Sequence, residues 1–296
     1  MLTERRPAIA RPHIESIQAQ LIPWNAAEGL RPGAEARILS KDDETGACSA
    51  MLRYPAGWSR SGPDVVLAEE ELFVLDGGLT IGAQSYGLHD YACLPAGYPR
   101  HGMASAEGAV VLTFFNAAPE LVPAVEHKTA YDEAVLIEKT STLNMIWDRG
   151  PPPKETDSAE EMTHYEYGIK SLRKDPHTKE SSFLFLASPQ TFPPQWKGLQ
   201  ETHPVVEESF VVAGEMIGPK ERRSEGAYFW RPPGILHGPY GSLKGCVSFI
   251  RTVGGPLVDE WNEPEATFSY DPEPQVVVPA EMEPYGTNHW KTGTCF

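Results

Sequence analysis

An internal repeat constrains this chain more than any other feature of its sequence. Glu70–Gly77 reads EELFVLDG, and Glu207–Gly214 reads EESFVVAG much later in the chain. At the same interval, the tetrapeptide LPAG ending at Gly97 is matched by RPPG ending at Gly234. Two further pairs, YPAGW with FPPQW and LSKD with LRKD, preserve the order. Matches in one order indicate two copies of one module.

The chain has 296 residues, which fits two domains of roughly 100–200 residues each. We place the boundary near residue 140 and predict domains 1–140 and 141–296. A proline-rich tail follows Gly254 and carries Trp261 and Trp290. We expect this tail to run extended over the second domain, with the two tryptophans as anchors.

Each copy contains short apolar runs that end at glycine. Glu71–Asp76 and Ser209–Ala213 are examples, and Gly108–Phe115 and Cys246–Arg251 are similarly rich in aromatic and β-branched residues. The 26 glycines and 28 prolines are scattered between such runs. No long segment shows a helical period of 3.6 residues. The sequence therefore predicts an all-β sandwich or barrel.

Charge and cysteine content narrow the function classes. The formal net charge is −16, from 25 Lys and Arg against 41 Asp and Glu. Repulsion from phosphates argues against nucleic acid or an anionic membrane as a partner. The four cysteines form no CxxC pair, and no apolar run is long enough for a signal peptide or a membrane span. We expect a cytoplasmic protein with reduced thiols.

The second copy carries a spaced set of possible metal ligands. His203, Glu207 and Gly214 are followed by Gly226–Gly238, which reads GAYFWRPPGILHG and contains His237. This pattern resembles the cupin superfamily, whose motifs are G-x5-H-x-H-x(3,4)-E-x6-G and G-x5-P-x-G-x2-H-x3-N. The sequence departs from these motifs at three positions. Gln195 replaces the leading Gly of the first motif, Glu201 replaces its first His, and Gly241 replaces the final Asn of the second motif.

The resemblance implies two tandem cupin barrels, each a double-stranded β-helix or jelly roll. The phrase YFWRPPGILHGPY also resembles a bacterial group of two-barrel cupins of uncertain function, related to the metal-binding cupin module of anti-sigma factors. The resemblance to the cupin motifs also implies a divalent metal held by His203, Glu207 and His237. Glu201 is either a fourth ligand or a carboxylate beside the metal.

Physical chemistry of the residues agrees with a metal site. Residues two apart on a strand face the same side, so Glu201 and His203 can both point into a barrel. A carboxylate in such an interior is costly unless a cation offsets its charge. Two histidines and one carboxylate are typical of non-haem Fe(II) oxygenases, although Zn, Mn and Ni also accept these ligands.

The first copy lacks a complete set of ligands. Asp64 and Val66 stand where the second copy has Glu201 and His203, while Glu70 and His101 remain, His101 with one extra residue before it. Because valine cannot ligate a metal, we expect one metal per chain, with Fe(II) favoured.

Four aromatic residues could line a cavity beside the metal or belong to the ordinary core: Trp196, Tyr228, Trp230 and Tyr240.

The resemblance favours a metal-dependent enzyme that acts on a small organic substrate, first of all an Fe(II) dioxygenase. The second enzyme class is an isomerase or lyase with Mn, Zn or Ni, in which Glu201 or Glu208 serves as general base. Two functions without catalysis also stay open, namely a metal-binding sensor and a storage protein. Since cupins often dimerise, we expect a homodimer.

Overall fold

A computed structural model describes residues 11–126, 130–149, 167–189, 192 and 195–290. Strands dominate these residues, which contain no α-helix, so the all-β prediction is confirmed. The chain forms two compact units. The early unit holds Ile22–Met145, and the late unit combines the described residues before Ile22 with those after Met145. In the described part of the chain, no helix is long and apolar enough to cross a bilayer.

The strands of the early unit are β2 (Asn25–Ala26), β3 (Glu35–Lys41), β4 (Cys48–Tyr54), β5 (Trp58–Arg60), β6 (Asp64–Val66), β7 (Glu70–Gly77), β8 (Leu79–Ile81), β9 (Gln84–Tyr86), β10 (Asp90–Leu94), β11 (Met103–Ser105), β12 (Ala109–Phe115), β13 (Leu121–Pro123) and β14 (Ile137–Ser141). The strands of the late unit are β1 (Ile14–Gln18), β15 (Tyr167–Lys174), β16 (Ser181–Ala187), β17 (Lys197–Thr202), β18 (Val206–Ile217), β19 (Arg222–Ser224), β20 (Ala227–Arg231), β21 (Cys246–Val253) and β22 (Glu260–Thr267). Short 3₁₀ helices lie at Ala19–Leu21, Ala124–Glu126, Thr142–Asn144, Ala280–Tyr285 and Thr287–His289.

The early unit is built around a seven-stranded antiparallel sheet in the order β14-β10-β7-β12-β4-β3-β2. A four-stranded sheet, β5-β11-β8-β9, and the pair β13-β6 complete it. All seven residues of β12 are buried, which matches its continuous apolar run. Apolar side chains such as Leu52, Leu72, Val74 and Leu94 form its core.

The late unit repeats this plan with a sheet in the order β1-β20-β18-β21-β16-β15, in which β19 also pairs with β18. Its outermost strand β1 comes from the start of the chain and pairs antiparallel with β20. The sequence repeat begins only after this segment, so it carried no information about where the segment packs. The predicted boundary near residue 140 stays a prediction, as does the arrangement in two tandem barrels.

A glycine at the end of the repeated strand explains part of the repeat. Gly77 and Gly214 both have positive φ, at 68° and 79°. A Cβ on either would lie 2.1 Å from a carbonyl oxygen, that of Gly108 or Gly245. Only glycine fits such a close approach of two backbones.

The tail after Gly254 is extended where it forms a strand. Its strand β22 pairs with β17, so part of the tail belongs to a sheet. Trp261 lies on this strand and is 62% exposed. It therefore does not anchor the tail, because an exposed indole buries little apolar area against the unit.

Candidate metal centre

Three of the predicted ligands converge in the late unit. Glu201, His203 and His237 each offer a ligand atom, and these atoms lie within 4.8 Å of one another. The Nε2 atom of His237 is 3.5 Å from Oε1 of Glu201. The two imidazole rings have their centroids 4.9 Å apart. Both histidines are buried, at 5% and 6% exposure, so the cluster lies inside the unit.

Backbone hydrogen bonds hold these three residues in register. Glu201 and His237 face each other across an isolated antiparallel bridge, with N–O distances of 2.9 and 3.1 Å. The amide of Gly234 donates to the carbonyl of His203 at 2.9 Å. The Pro232–Gly234 turn thus brings His237 back to the strand that ends beside His203.

Both imidazoles are oriented by backbone carbonyls. His203 donates from Nδ1 to the carbonyl of Val258 at 3.0 Å, and His237 donates from Nδ1 to the carbonyl of Ile235 at 2.8 Å. With the proton on Nδ1, each Nε2 keeps its lone pair directed at the cluster. Metal-bound histidines are characteristically held in this way.

Glu207 supplies a second carboxylate. Its Oε2 atom is 3.5 Å from Nε2 of His237 and 3.8 Å from Nε2 of His203. The same oxygen accepts a hydrogen bond from Nη1 of Arg231 at 2.9 Å. Glu207 lies on β18 directly opposite Arg231 on β20, which places the guanidinium and the carboxylate on one face of the sheet.

Arg231 connects Glu207 to a residue that the repeat did not indicate. Its Nε and Nη2 atoms donate to the carboxylate of Glu15 on β1, with Nη2–Oε1 at 2.6 Å. Nη2 also donates to the hydroxyl of Tyr240 at 2.5 Å. Glu15 and Arg231 are 216 residues apart in sequence, so no local pattern links them.

The pKa values of the two carboxyl groups in the cluster are shifted in opposite directions. Burial, with Glu207 and Asp259 nearby, raises the pKa of Glu201 to about 8. Burial also acts to raise the pKa of Glu207, but Arg231 and the two histidines outweigh it and lower that pKa. Burial and Arg231 together lower the pKa of His237 to about 4. Glu207 is thus an anion and His237 a neutral imidazole at neutral pH, the forms in which both bind metals.

The residues fit a divalent transition metal. Bonds of about 2.0–2.2 Å from Zn to N or O put two ligands of one ion at most about 4.4 Å apart. Side chains within 4.8 Å of one another can reach that geometry by shifts of a few tenths of an ångström. Two imidazoles and buried carboxylates are a donor set that such ions accept.

Three predicted residues are not brought to this cluster. Tyr228 donates to Oε1 of Glu208 at 2.5 Å, and Arg251 donates to Oε2 of the same carboxylate at 2.9 Å. Trp230 lies opposite Glu208 in the β18–β20 pair and stacks under Arg11. Neighbouring residues on a strand point to opposite faces, and Glu207 occupies the face of the cluster. We therefore correct the assignment of Glu208 as a base and of Tyr228 and Trp230 as pocket residues.

The remaining two aromatic residues differ in position. Tyr240 reaches the cluster through Arg231, and its ring lies 6.0 Å from that of His237. Trp196 stacks on Phe192 with ring centroids 4.1 Å apart and also packs against Phe268. Trp196 therefore belongs to an aromatic group, and no contact joins it to the histidines in the residues that the structure describes.

The early unit has a different cluster at the equivalent place. Asp64 bridges to Arg100 as Glu201 bridges to His237, so Arg100 occupies the position of His237. His101, the expected counterpart, is exposed. Glu70 accepts hydrogen bonds from Arg100, from Arg31 at 2.5 Å and from Thr113 at 2.9 Å. Glu70 thus binds two buried guanidinium groups, one of which, that of Arg100, stands where the late unit presents the imidazole of His237.

Known proteins share the sequence pattern and the architecture of this chain. A family model described as a domain of unknown function, DUF4437, matches residues 15–256. The structure is similar to that of a candidate dioxygenase from Nostoc punctiforme, with a TM-score of 0.63, 18% identity and 88% coverage of each chain.

Two more distant structural neighbours have TM-scores just above 0.5. Ylba from E. coli, of family DUF861, has a TM-score of 0.53 and 12% identity, with 80% of this chain and 89% of that chain covered. A single-site mutant of Bacillus subtilis oxalate decarboxylase has a TM-score of 0.51 and 14% identity, with 84% and 79% covered. No curated protein sequence matches this chain. These neighbours are cupin-type proteins, so the predicted cupin fold is confirmed.

Proposed function

Because the chain belongs to the DUF4437 family and its matched residues 15–256 include the whole cluster, we propose that it is a metal-dependent cupin enzyme. The carrying observation is the convergence of Glu201, His203 and His237 within 4.8 Å, with Glu207 beside them. His203, His237 and Glu207 would hold one divalent transition metal, and Glu201 would be either a fourth ligand or an acid–base group beside it.

We propose Fe(II)-dependent dioxygenation of a small organic molecule as the reaction. Two histidines and one carboxylate leave coordination positions open, and a bound Fe(II) would supply the reaction with O2 there. The neighbouring candidate dioxygenase from Nostoc punctiforme supports this choice by its fold and its name. In this chain, the carbonyls of Val258 and Ile235 would fix the imidazoles, and Arg231 would hold Glu207 as an anion.

One observation favours a second reaction class. Glu201 is buried and its pKa is raised to about 8, which suits a carboxyl group that takes up and returns a proton near neutral pH. An isomerase or lyase that uses Mn, Zn or Ni to polarise a carbonyl needs such a group. Bacillus subtilis oxalate decarboxylase has Mn(II) centres, which supports keeping Mn as a candidate metal here. A metal-binding sensor without turnover is the non-catalytic alternative.

Elemental analysis of protein purified without oxygen tests metal binding. We expect close to one transition metal per chain, and we expect His203→Ala and His237→Ala to lose it. His101→Ala is the matched control, because this exposed histidine of the early unit should not affect metal content. Wild-type protein that takes up no Fe, Mn, Zn or Ni would contradict the proposal.

Oxygen consumption separates the reaction classes. Fe(II)-loaded protein should consume O2 in the presence of a substrate found by screening small organic acids, phenols and thiols, and His203→Ala should not. Product formation under argon would favour the isomerase or lyase. Saturating metal binding without any turnover would favour the sensor.

A further inference from the structure

We propose that Glu15, supplied by the N-terminal strand β1, is a positioning residue of the metal centre that makes Glu207 available to the cation. It would do so by balancing the positive charge of Arg231. This inference rests on the proposed function, since it concerns how the same cluster attracts its metal.

Arg231 binds the carboxylate oxygen of Glu207 that a metal ion would need. Arg231 donates from Nη1 to Oε2 of Glu207, which is also the oxygen nearest to both histidine Nε2 atoms. The guanidinium therefore holds the oxygen that a metal would use. A buried, unbalanced arginine at this place would repel a cation and compete with it for the carboxylate.

Glu15 meets the arginine on its opposite side. Its two oxygens accept from Nε at 3.1 and 3.2 Å and from Nη2 at 2.6 Å, so the two groups pair through the planar fork. Glu15 is 6% exposed and Arg231 is 2% exposed, so little solvent screens this pair. With Glu15 present, the Glu15–Arg231–Glu207 triad carries one net negative charge, and without Glu15 it carries none.

Other charged groups facing the triad do not replace Glu15. Arg223 lies over the Phe229 and Tyr240 rings and pairs with Glu221 at 3.3 Å. Asp259 lies 3.4 Å from Nδ1 of His203, on the other side of the cluster. His13 contacts Glu15 itself, with Nε2 2.9 Å from Oε2. Glu15 is therefore the carboxylate in direct contact with Arg231 besides Glu207 among the described residues.

The backbone of β1 fixes Glu15 from both sides. Ile14 lies opposite Trp230 and Ile17 opposite Tyr228, which docks the strand on β20. The amide of Glu15 donates to the carbonyl of Val277 at 2.7 Å. Residues before the first repeat thus complete a site whose ligands all come from the second repeat. The early unit has Leu94 at the place of Arg231, directly opposite Glu70, so this device belongs to the late unit.

Titration of metal-free protein with Co(II), followed by the visible absorption of the bound ion, tests the inference. Glu15→Gln keeps the shape of the side chain and removes its charge, and we expect binding about 10–100-fold weaker than in wild type. Glu15→Asp should retain most of the affinity. Gln18→Ala is the control, because Gln18 anchors the same strand to the carbonyl of Glu225 at 2.6 Å without facing the cluster.

A second variant separates charge balance from strand docking. In Glu15→Gln/Arg231→Gln neither the carboxylate nor the guanidinium charge remains, so we expect Co(II) affinity to recover by at least about tenfold over Glu15→Gln alone. A purely structural role predicts a further loss. Glu15→Gln binding Co(II) within about twofold of wild type would overturn the inference while the proposed function stands. Wild type without Co(II) uptake would overturn both.

Discussion

The two units place equivalent buried glutamates, Glu70 and Glu207, among different partners. In the late unit, Glu207 faces two imidazoles whose Nε2 atoms are 3.5 and 3.8 Å from its oxygen. In the early unit, the equivalent Glu70 faces the guanidinium groups of Arg31 and Arg100. A buried carboxylate needs a cation in either case. In the early unit Arg31 and Arg100 supply that cation. In the late unit Arg231 supplies it, and the two imidazoles beside Glu207 can also collect a metal ion from solution.

The largest expected difference concerns stability. Glu70→Gln would leave two buried arginines without their shared anion, and we expect it to lower the free energy of unfolding by about 3–5 kcal/mol. Glu207→Gln in metal-free protein should cost less, because Glu15 still neutralises Arg231. Urea unfolding followed by fluorescence measures both. Equal losses would break the comparison, since they would mean that the two carboxylates have equivalent partners.

The ion pairing of Glu70 with Arg31 and Arg100 predicts that the stability of the early unit depends on pH. Burial acts to raise the pKa of Glu70, but Arg100 and Arg31 outweigh it and lower that pKa below the usual value of 4.5. A lowered pKa in the folded state contributes stability above the unfolded pKa and loses it as pH falls. The stability gap between wild type and Glu70→Gln should therefore be full at pH 7 and shrink below about pH 4.5. A gap that widens on acidification would contradict this ion pairing.

Several of the residues in this comparison could be predicted from sequence, and there are physical reasons why the others could not. The resemblance to the cupin motifs pointed to His203, Glu207 and His237, because a strand and a turn place these residue types at the intervals of that family. It failed for Arg100, since alignment by residue type chose His101, whereas the backbone bridge to Asp64 selects its neighbour.

The orientation of β20 was also not predictable from its own residues. Every residue of this strand is buried, so hydrophobicity does not reveal which face holds the cluster. The pairing of Arg231 with Glu207 decides it, and this places Phe229 on the cluster face and Tyr228 and Trp230 on the other. Glu15 was missed for a simpler reason, because its partner is distant in sequence and outside the repeat.

Replacing the glycine that ends the repeated strand should destabilise both units by a similar amount. Gly77→Ala and Gly214→Ala each force a Cβ to within 2.1 Å of a carbonyl oxygen at a positive φ. Residues held in this region cost about 1–3 kcal/mol, and the contact adds to that cost. We expect similar losses of unfolding free energy for the two variants in urea titrations. A loss confined to one unit would show that the repeated strand ends are not equivalent.

The smallest expected effect comes from restoring ligands to the early unit. Val66→His/Arg100→His recreates both imidazoles, yet Arg31 would remain on Glu70 at 2.5 Å, and among the described residues no second acid pairs with Arg31. Leu94, the counterpart of Arg231, offers no path to such an acid. We therefore expect metal content to stay near one per chain by elemental analysis, with folding checked by circular dichroism. Adding Arg31→Met frees the carboxylate and should bring in a second metal. A second metal already present in the double variant would show that missing imidazoles alone, and not the arginine, keep this unit free of metal.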